Sequence, residues 1–236
     1  MEVLLTIEAR GRHIDFGIAT TRAECAAILA QRFRVYQRHG YYQPGLTVDC
    51  DEYDRDAVYL AATAGGDRLP AVLIGSARLV VGTPDGSFRF PSQRAFQLEL
   101  PETVRVVPAD QCLEVTRLIS ERAEGVVPGG LLVPLGLIRT VSEYSQRHGI
   151  RCGLAVVKQR LLRALLAAGV PLPEIACAML IYPEDGPTGP YYHRHADSVI
   201  PVWWTVAELA PFAAQAVARY RLASLGATEP GARNHP

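Results

Sequence analysis

The sequence is poor in lysine and carries no excess charge of either sign. Lys158 is the only lysine among 24 basic residues, and these balance 24 acidic residues to a formal net charge of zero. A neutral chain lacks the strongly basic surface that binds nucleic acid non-specifically or lies on anionic lipid. We therefore expect no nucleic-acid partner, and the arginines have to be interpreted by position rather than by number.

Cysteine motifs and long apolar runs are also missing. No stretch approaches the roughly 18–20 uninterrupted apolar residues that a membrane span requires, and the opening MEVLLTIEARGRH has charged residues too early for a signal peptide. The cysteines are odd in number and form no C-x-x-C motif, which argues against a zinc site or a disulfide framework. We expect a reduced, cytoplasmic protein with no membrane span and no metal. The cysteines are Cys25, Cys50, Cys112, Cys152 and Cys177.

With 49% hydrophobic and 20% charged residues, the chain has the composition of a globular protein rather than of a disordered one. Its 236 residues exceed the usual domain size but are compatible with one α/β unit. We predict a single domain over residues 1–225. Residues 226–236 are rich in turn formers and have no hydrophobic period, so we predict a disordered tail there.

Hydrophobic periodicity predicts a mixed α/β (α+β) architecture. Glu24 follows Thr20 and Thr21 at the spacing of a helix capping box, and a strand pair early in the chain predicts a hairpin. Strands that alternate with helices later in the chain predict a mixed sheet with helices packed on it. Helices are predicted at residues 21–38, 133–147 and 158–169. Strands are predicted at residues 2–8, 57–64, 71–82, 112–119, 152–157 and 175–182, with a last pair near 190–204.

The densest cluster of charge is acidic. Residues 49–56 hold five acids and one arginine, a local net charge of −4. An isolated run of this kind is commonly a solvated loop. The D-x-D-x-x-D pattern of Asp49, Asp51 and Asp54 also offers carboxylate oxygens to a hard cation, but it lacks the glycine and terminal glutamate of an EF-hand.

Glu114 and Arg117 interrupt an apolar segment that we predict to be an interior strand. On a strand, positions 114 and 116 share one face and position 117 points to the other, unless a bulge intervenes. Buried charges need partners, and a structural salt bridge is one interpretation. Arg78 in a predicted strand and Arg32 in the first predicted helix pose the same problem. These arginines and the acidic loop would satisfy one another around a shared cleft.

The charged residues belong to four motifs in a fixed order. They are Arg32-x-x-x-Tyr36, D-x-D-x-x-D beginning at Asp49, Arg78-Leu79, and Glu114-x-x-Arg117. This order resembles the R-x-x-x-F, E-x-D-x-x-D, R-L and E-x-x-R motifs of the acyl-homoserine-lactone synthases and the related N-acyl amino acid synthases, over residues 25–120. The resemblance implies the fold of the GNAT acyltransferases, a mixed sheet splayed in its middle with helices on both faces. It also implies transfer of an acyl chain from a thioester to an amine.

The resemblance implies roles for individual residues. Glu114 is expected to accept the proton of the attacking amine, and the backbone N–H of Leu118 or Ile119, at a strand bulge, to stabilise the oxyanion. The charged network is expected to shape the acceptor pocket and hold the acceptor's ammonium group, with some members serving only as scaffold. The expected acceptor-binding residues are Arg32, Tyr36, Tyr42, Asp49, Asp51, Asp54, Arg78 and Arg117.

Three departures from the lactone-synthase pattern favour an amino acid as acceptor over S-adenosylmethionine. Asp49 stands where those enzymes have glutamate, and Tyr36 where they have phenylalanine. Tyr41 and Tyr42 occupy the place of a tryptophan. The sequence therefore predicts an N-acyl amino acid synthase that uses a medium or long acyl chain. A lactone autoinducer synthase and a non-catalytic acyl-binding module are the alternatives.

The acyl donor is expected to be a thioester of acyl carrier protein rather than of coenzyme A, with no tightly bound cofactor. The segment ERAEGVVPGGLLVPLG, residues 121–136, does not fit the Q/R-x-x-G-x-G/A spacing of a coenzyme A loop. Between residues 139 and 163, six bases face one acid, a pattern typical of a solvated helix face or of a surface that attracts an acidic carrier. The predicted carrier-binding residues are Arg147, Arg151, Lys158 and Arg160.

Overall fold

A computed structural model describes residues 1–9, 12–66, 69–85, 89–121 and 130–226 of the chain, and the structural statements below concern these residues. Nearly all of the predicted disordered tail, residues 227–236, lies outside the described residues. Most of the glycine-rich segment, residues 122–129, also lies outside them, so the structure does not test its role.

Strands account for much of the described chain. They are β1 (Glu2–Ala9), β2 (Arg12–Ile18), β3 (Val58–Gly66), β4 (Leu69–Val81), β5 (Phe96–Leu98), β6 (Cys112–Ser120), β7 (Cys152–Lys158), β8 (Ala178–Leu180) and β9 (Val199–Thr205). Three of the helices in the described residues have only one turn. They are α1 (Arg22–Arg38), α2 (Pro91–Ala95), α3 (Glu102–Arg105), α4 (Leu132–Arg147), α5 (Gln159–Ala167), α6 (Gly189–Tyr192) and α7 (Val206–Gly226).

Seven strands form one mixed sheet, in the order β1-β2-β3-β4-β6-β7-β9. Neighbouring strands are antiparallel except β6 and β7, which run parallel. Strands β3 and β4 form the predicted hairpin, and β5 and β8 form a separate two-stranded sheet. The predicted mixed sheet is confirmed.

Helices cover both faces of this sheet, as the resemblance implied. On one face, Ser76 of β4 donates a hydrogen bond to Gln31 of α1, with 2.8 Å between Oγ and Oε1. On the other face, α4 lies so close that a Cβ atom at Gly75 would come within 2.4 Å of Val133. The main hydrophobic core lies on this second face, where α4 and α7 pack against the sheet.

The centre of the sheet is irregular at β6. Arg78 of β4 is in register with Thr116, whereas Ser76 is in register with Ile119, so Arg117 and Leu118 oppose a single residue. This is a β-bulge, and Arg117 has a φ of 54°. Pairing of β6 with β7 ends at Val115 and Ala155, although both strands continue. The sheet therefore opens beside the bulge.

Several boundaries differ from those predicted from the sequence. Strand β2 and helix α7 were not predicted, although β2 alternates apolar Ile14, Phe16 and Ile18 with other residues. Helix α7 contains Pro211, which weakened its helical pattern. The predicted strand at residues 175–182 is reduced to β8, and only β9 remains of the pair predicted near 190–204. None of the helices in the described ranges is both long and apolar enough to span a membrane.

Candidate active site

The acidic loop folds into a turn that uses its own carboxylates. Asp51 caps the one-turn 3₁₀ helix Glu52–Arg55, because its Oδ1 accepts a hydrogen bond from the N–H of Tyr53 at 3.0 Å. Asp54 Oδ2 accepts from the N–H of Asp51 at 2.9 Å. The side chains of Asp49 and Asp54 are only 4% and 5% exposed, so these two residues do not belong to a solvated loop.

Two arginines from different elements bind Asp54. Arg32 of α1 donates two parallel hydrogen bonds to its carboxylate, at 2.9 and 2.8 Å, and Arg78 of β4 donates at 2.7 Å. The hydroxyl of Tyr59 also donates to Asp54, at 2.7 Å. Although burial opposes ionisation, the hydrogen bond from Arg32 and the charges of Arg78 and Arg32 hold the pKa of Asp54 well below its usual range. The ionised carboxylate joins α1 to β4.

Arg78 extends this network to the central strand. Its Nη1 and Nη2 atoms donate to the carboxylate of Asp51 at 2.6 and 3.1 Å, and its Nε donates to Thr116 Oγ1 at 2.9 Å. The Arg78 side chain is 2% exposed. Its guanidinium is therefore surrounded by protein acceptors and held in one orientation.

The bulge turns Arg117 toward the acidic loop. Its Nη2 donates to Asp49 Oδ1 at 3.1 Å and lies 3.7 Å from Asp51 Oδ2. The guanidinium also stacks over the ring of Tyr36, 5.1 Å from the ring centroid. Asp49 in turn forms an ion pair with Arg32, with 2.5 Å between Oδ2 and Nε. All six charged residues of the motifs other than Glu114 thus belong to one network.

Glu114 lies nearby in a different environment. The residue is 1% exposed, and its carboxylate accepts hydrogen bonds from the N–H and the hydroxyl of Ser92, at 2.9 and 2.7 Å. Burial raises its pKa to about 7, and the hydrogen bonds from Ser92 and the charge of Arg78 limit the rise. A carboxyl group with this pKa exchanges a proton near neutral pH.

A cavity of about 420 Å³ opens between β6, β7, the acidic loop and the segment around α6. Glu114, Thr116 and Arg117 line it from β6, and Val156 lines it from β7. The cavity therefore occupies the place where the two parallel strands separate, and Glu114 faces it. A concave site with a few convergent polar groups is typical of small-molecule binding.

The structure divides the predicted acceptor residues into two groups. Tyr36, Asp49, Asp51, Arg78 and Arg117 line the cavity. The other three, Arg32, Tyr42 and Asp54, are not among the described residues that line it. Each of them contacts a residue of the first group. The phenol ring of Tyr42, for example, packs 5.4 Å from that of Tyr36.

The residues predicted to supply the oxyanion hydrogen bond lie at the bulge. Leu118 has no residue in register on β4 and none on β7, whereas Ile119 is in register with Ser76 and is buried. A backbone N–H that is free to bind substrate is more readily available in a bulge than in a regular ladder. The geometry therefore favours Leu118 over Ile119 for this predicted role.

The predicted carrier-binding residues do not lie together. Arg147 and Arg151 are near the residue where β7 begins, and Arg160 follows the residue where it ends. The length of this strand separates the two ends by roughly 20 Å. Arg160 is at the end where the sheet opens.

Lys158, one of the predicted carrier-binding residues, is buried. Its Nζ donates to the backbone carbonyls of Tyr191 and Asp197, at 2.5 and 2.9 Å, and lies 4.5 Å from the ring centroid of Tyr191. Burial lowers its pKa to about 8. The sequence predicted that Lys158 begins a helix, but it ends β7 and its side chain packs inward.

Several cavity residues were missed because they belong to no motif. Pro91 and Arg94 come from α2, a one-turn helix without periodicity, and Tyr191 and Tyr192 come from α6. The adjacent tyrosines Tyr191 and Tyr192 were the sequence feature that could have indicated this part of the cavity. Among the described residues, no group of three His, Cys, Asp or Glu side chains is arranged to hold a metal ion.

Solved structures share this fold at low sequence identity. The acyl-homoserine-lactone synthase LasI is 13% identical, with a TM-score of 0.58 over 87% of this chain and 95% of LasI. FeeM, an N-acyl amino acid synthase from uncultured soil microbes, is 12% identical, with a TM-score of 0.56 over 84% of this chain and 93% of FeeM. MesI, a CoA-dependent acyl-homoserine lactone synthase, is 19% identical, with a TM-score of 0.53 over 91% and 97%.

No protein-family model matches this sequence, and no curated protein is significantly similar to it. The structural matches establish a shared fold between this chain and the synthases named above. The resemblance predicted from four short motifs is thereby confirmed at the level of the fold.

Asp54→Asn should destabilise the protein by about 3–5 kcal/mol, because it removes the buried carboxylate charge that Arg32 and Arg78 share. A carboxyl group whose pKa is lowered by folding stabilises the folded state above its unfolded pKa, about 3.9, and loses this effect as the pH falls. In urea unfolding, the free energy of unfolding of wild type should therefore exceed that of the variant by more at pH 7 than at pH 3. Asp56→Asn, an exposed change in the same loop, should have little effect. Equal stability of Asp54→Asn and wild type would contradict the network.

Glu114→Gln should stabilise the protein at pH 8. A carboxyl group whose pKa is raised by folding contributes stability below its unfolded pKa, and this contribution is lost as the pH rises through about 7. The variant has no such loss, so its free energy of unfolding at pH 8 should exceed that of wild type by on the order of 3 kcal/mol. At pH 4 the two should unfold at similar urea concentrations. The same difference at both pH values would show that Glu114 does not titrate in this range.

Proposed function

We propose that this protein is an acyltransferase that moves an acyl chain from a thioester to the amine of an amino acid. The observation that carries the proposal is the position of Glu114. Its carboxyl group is buried beside the cavity, has a pKa of about 7, and lies where β6 and β7 separate. The shared fold of LasI and FeeM supports the same class of reaction.

The reaction needs few protein groups. The amine nitrogen attacks the thioester carbonyl carbon, and Glu114 accepts the amine's proton directly or through one water. The carbonyl oxygen becomes an oxyanion, which the N–H of Leu118 in the bulge stabilises. The C–S bond then breaks, the amide forms, and the thiolate leaves and takes up a proton.

The polar wall of the cavity suits an amine acceptor. Asp49 and Asp51 line the cavity, and both are held by buried arginines. Their orientation is set before substrate arrives, which lowers the cost of ordering the site. Tyr36, Tyr191 and Tyr192 supply aromatic surface for the non-polar part of the substrates.

Thiol release tests this function and its alternatives. Purified protein is incubated with octanoyl or dodecanoyl acyl carrier protein and each common amino acid, and free thiol is measured. Formation of methylthioadenosine from S-adenosylmethionine would instead show lactone synthesis. Tight thioester binding without turnover would show a non-catalytic module, and no thiol release with any amine would refute the proposal.

Glu114→Gln should lower kcat/KM by roughly 10²-fold or more, because the amide cannot accept the proton. In wild type, kcat/KM should rise with pH through about 7 as Glu114 ionises. Since the variant is expected to be at least as stable as wild type, loss of activity cannot be attributed to unfolding. Wild-type activity in Glu114→Gln, with an unchanged pH profile, would exclude Glu114 as the base.

We also propose that acyl carrier protein is the donor and docks at the end of β7 where the sheet opens. Arg160→Glu should raise the KM for acyl carrier protein thioesters by about tenfold at low salt, since charge reversal at a docking rim slows association. Arg151→Glu, at the other end of β7, should change it much less. Neither should affect the KM for a coenzyme A thioester. Equal effects of the two reversals would contradict this docking site.

A further inference from the structure

One arginine in the cavity differs from its neighbours. Arg78 and Arg117 are buried and held by the aspartates of the acidic loop. The Arg94 side chain is 57% exposed, and its partner in the ion pair, Glu52, is 55% exposed. Both line the cavity. Because an exposed ion pair contributes little to stability, it opens at small cost, whereas the buried pairs do not.

The position of Arg94 is fixed relative to Glu114 by α2. Ser92, which binds the Glu114 carboxylate, and Arg94 are two residues apart on this one-turn helix. The guanidinium of Arg94 also lies 5.4 Å from the ring centroid of Tyr53, which steadies it at the cavity wall. The same turn therefore holds the carboxylate of Glu114 through Ser92 and presents an accessible guanidinium to the cavity.

We propose that Arg94 binds the carboxylate of the acceptor, which displaces Glu52 from the ion pair. In an α-amino acid a single carbon separates the amine from the carboxylate, so a cation that binds the carboxylate of an acceptor whose amine is at Glu114 must also lie close to Glu114. Arg94 is two residues from Ser92, which binds Glu114. Arginine binds a carboxylate through two parallel hydrogen bonds, which gives both affinity and orientation. This inference rests on the proposed acyltransferase function, and it makes Arg94 the residue that selects amino acids over simple amines.

Acceptor selectivity tests the proposal. The amino acid that wild type uses fastest is compared with its carboxamide and with its decarboxylated amine, at saturating thioester donor. Wild type should prefer the amino acid, and Arg94→Gln should raise its KM by roughly 10- to 100-fold with a smaller change in kcat. The KM for the two analogues, which lack the carboxylate, should not change. The proposal would be overturned if the Arg94→Gln variant preferred the amino acid over its two analogues as strongly as wild type does.

Two further variants serve as controls. Arg105→Gln also removes an exposed arginine paired with an exposed glutamate, Glu102, but outside the cavity, and it should leave acceptor selectivity unchanged. Glu52→Gln removes the competing carboxylate, so the KM for the amino acid should fall while that for the carboxamide stays the same. A rise in KM for both acceptors would contradict displacement of Glu52. Absence of thiol release from wild type with every acceptor refutes the acyltransferase function itself, and is thus distinct from loss of the Arg94 effect.

Discussion

The buried carboxylate of Asp54, shared by Arg32 and Arg78, is the interaction on which the rest of the site depends. Each of these charges alone would be costly to bury, and they are stable inside the protein because they neutralise one another. The three residues come from the acidic loop, from α1 and from β4, so their pairing joins a loop and a helix to the sheet. With the loop held in this way, Asp49 is placed beside Arg117 at the wall of the cavity.

The bulge in β6 determines which charges face the cavity. In a regular strand Arg117 would point to the face opposite Glu114 and Thr116. The extra residue and the positive φ at Arg117 turn its side chain to the same side. The bulge also leaves Leu118 without a residue in register, next to the place where β6 and β7 separate. One local irregularity thus provides both a charged wall and an available backbone segment.

Two buried carboxylates near this cavity have opposite proton affinities. Asp54 has its pKa lowered because arginines surround it, and it remains an ionised structural group. Glu114 has its pKa raised because it is buried, and the hydrogen bonds from the neutral Ser92 and the charge of Arg78 only limit the rise. Carboxyl groups whose environments separate their pKa values in this way are suited to different tasks. The charged network supplies rigidity, and Glu114 supplies proton transfer.

Periodicity and spacing in the sequence were enough to predict most of the longer helices and strands, a capping box formed by Glu24 with Thr20 or Thr21, and the set of charged residues that had to pair. Buried arginines can be neutralised only by carboxylates, and the acidic loop is where the chain concentrates them. Sequence patterns could not show which of these residues line the cavity, that Lys158 is buried, or that α2 places Arg94 at the cavity. Those outcomes depend on sheet register and on contacts between distant segments, and a one-residue shift in a strand moves a side chain to the opposite face.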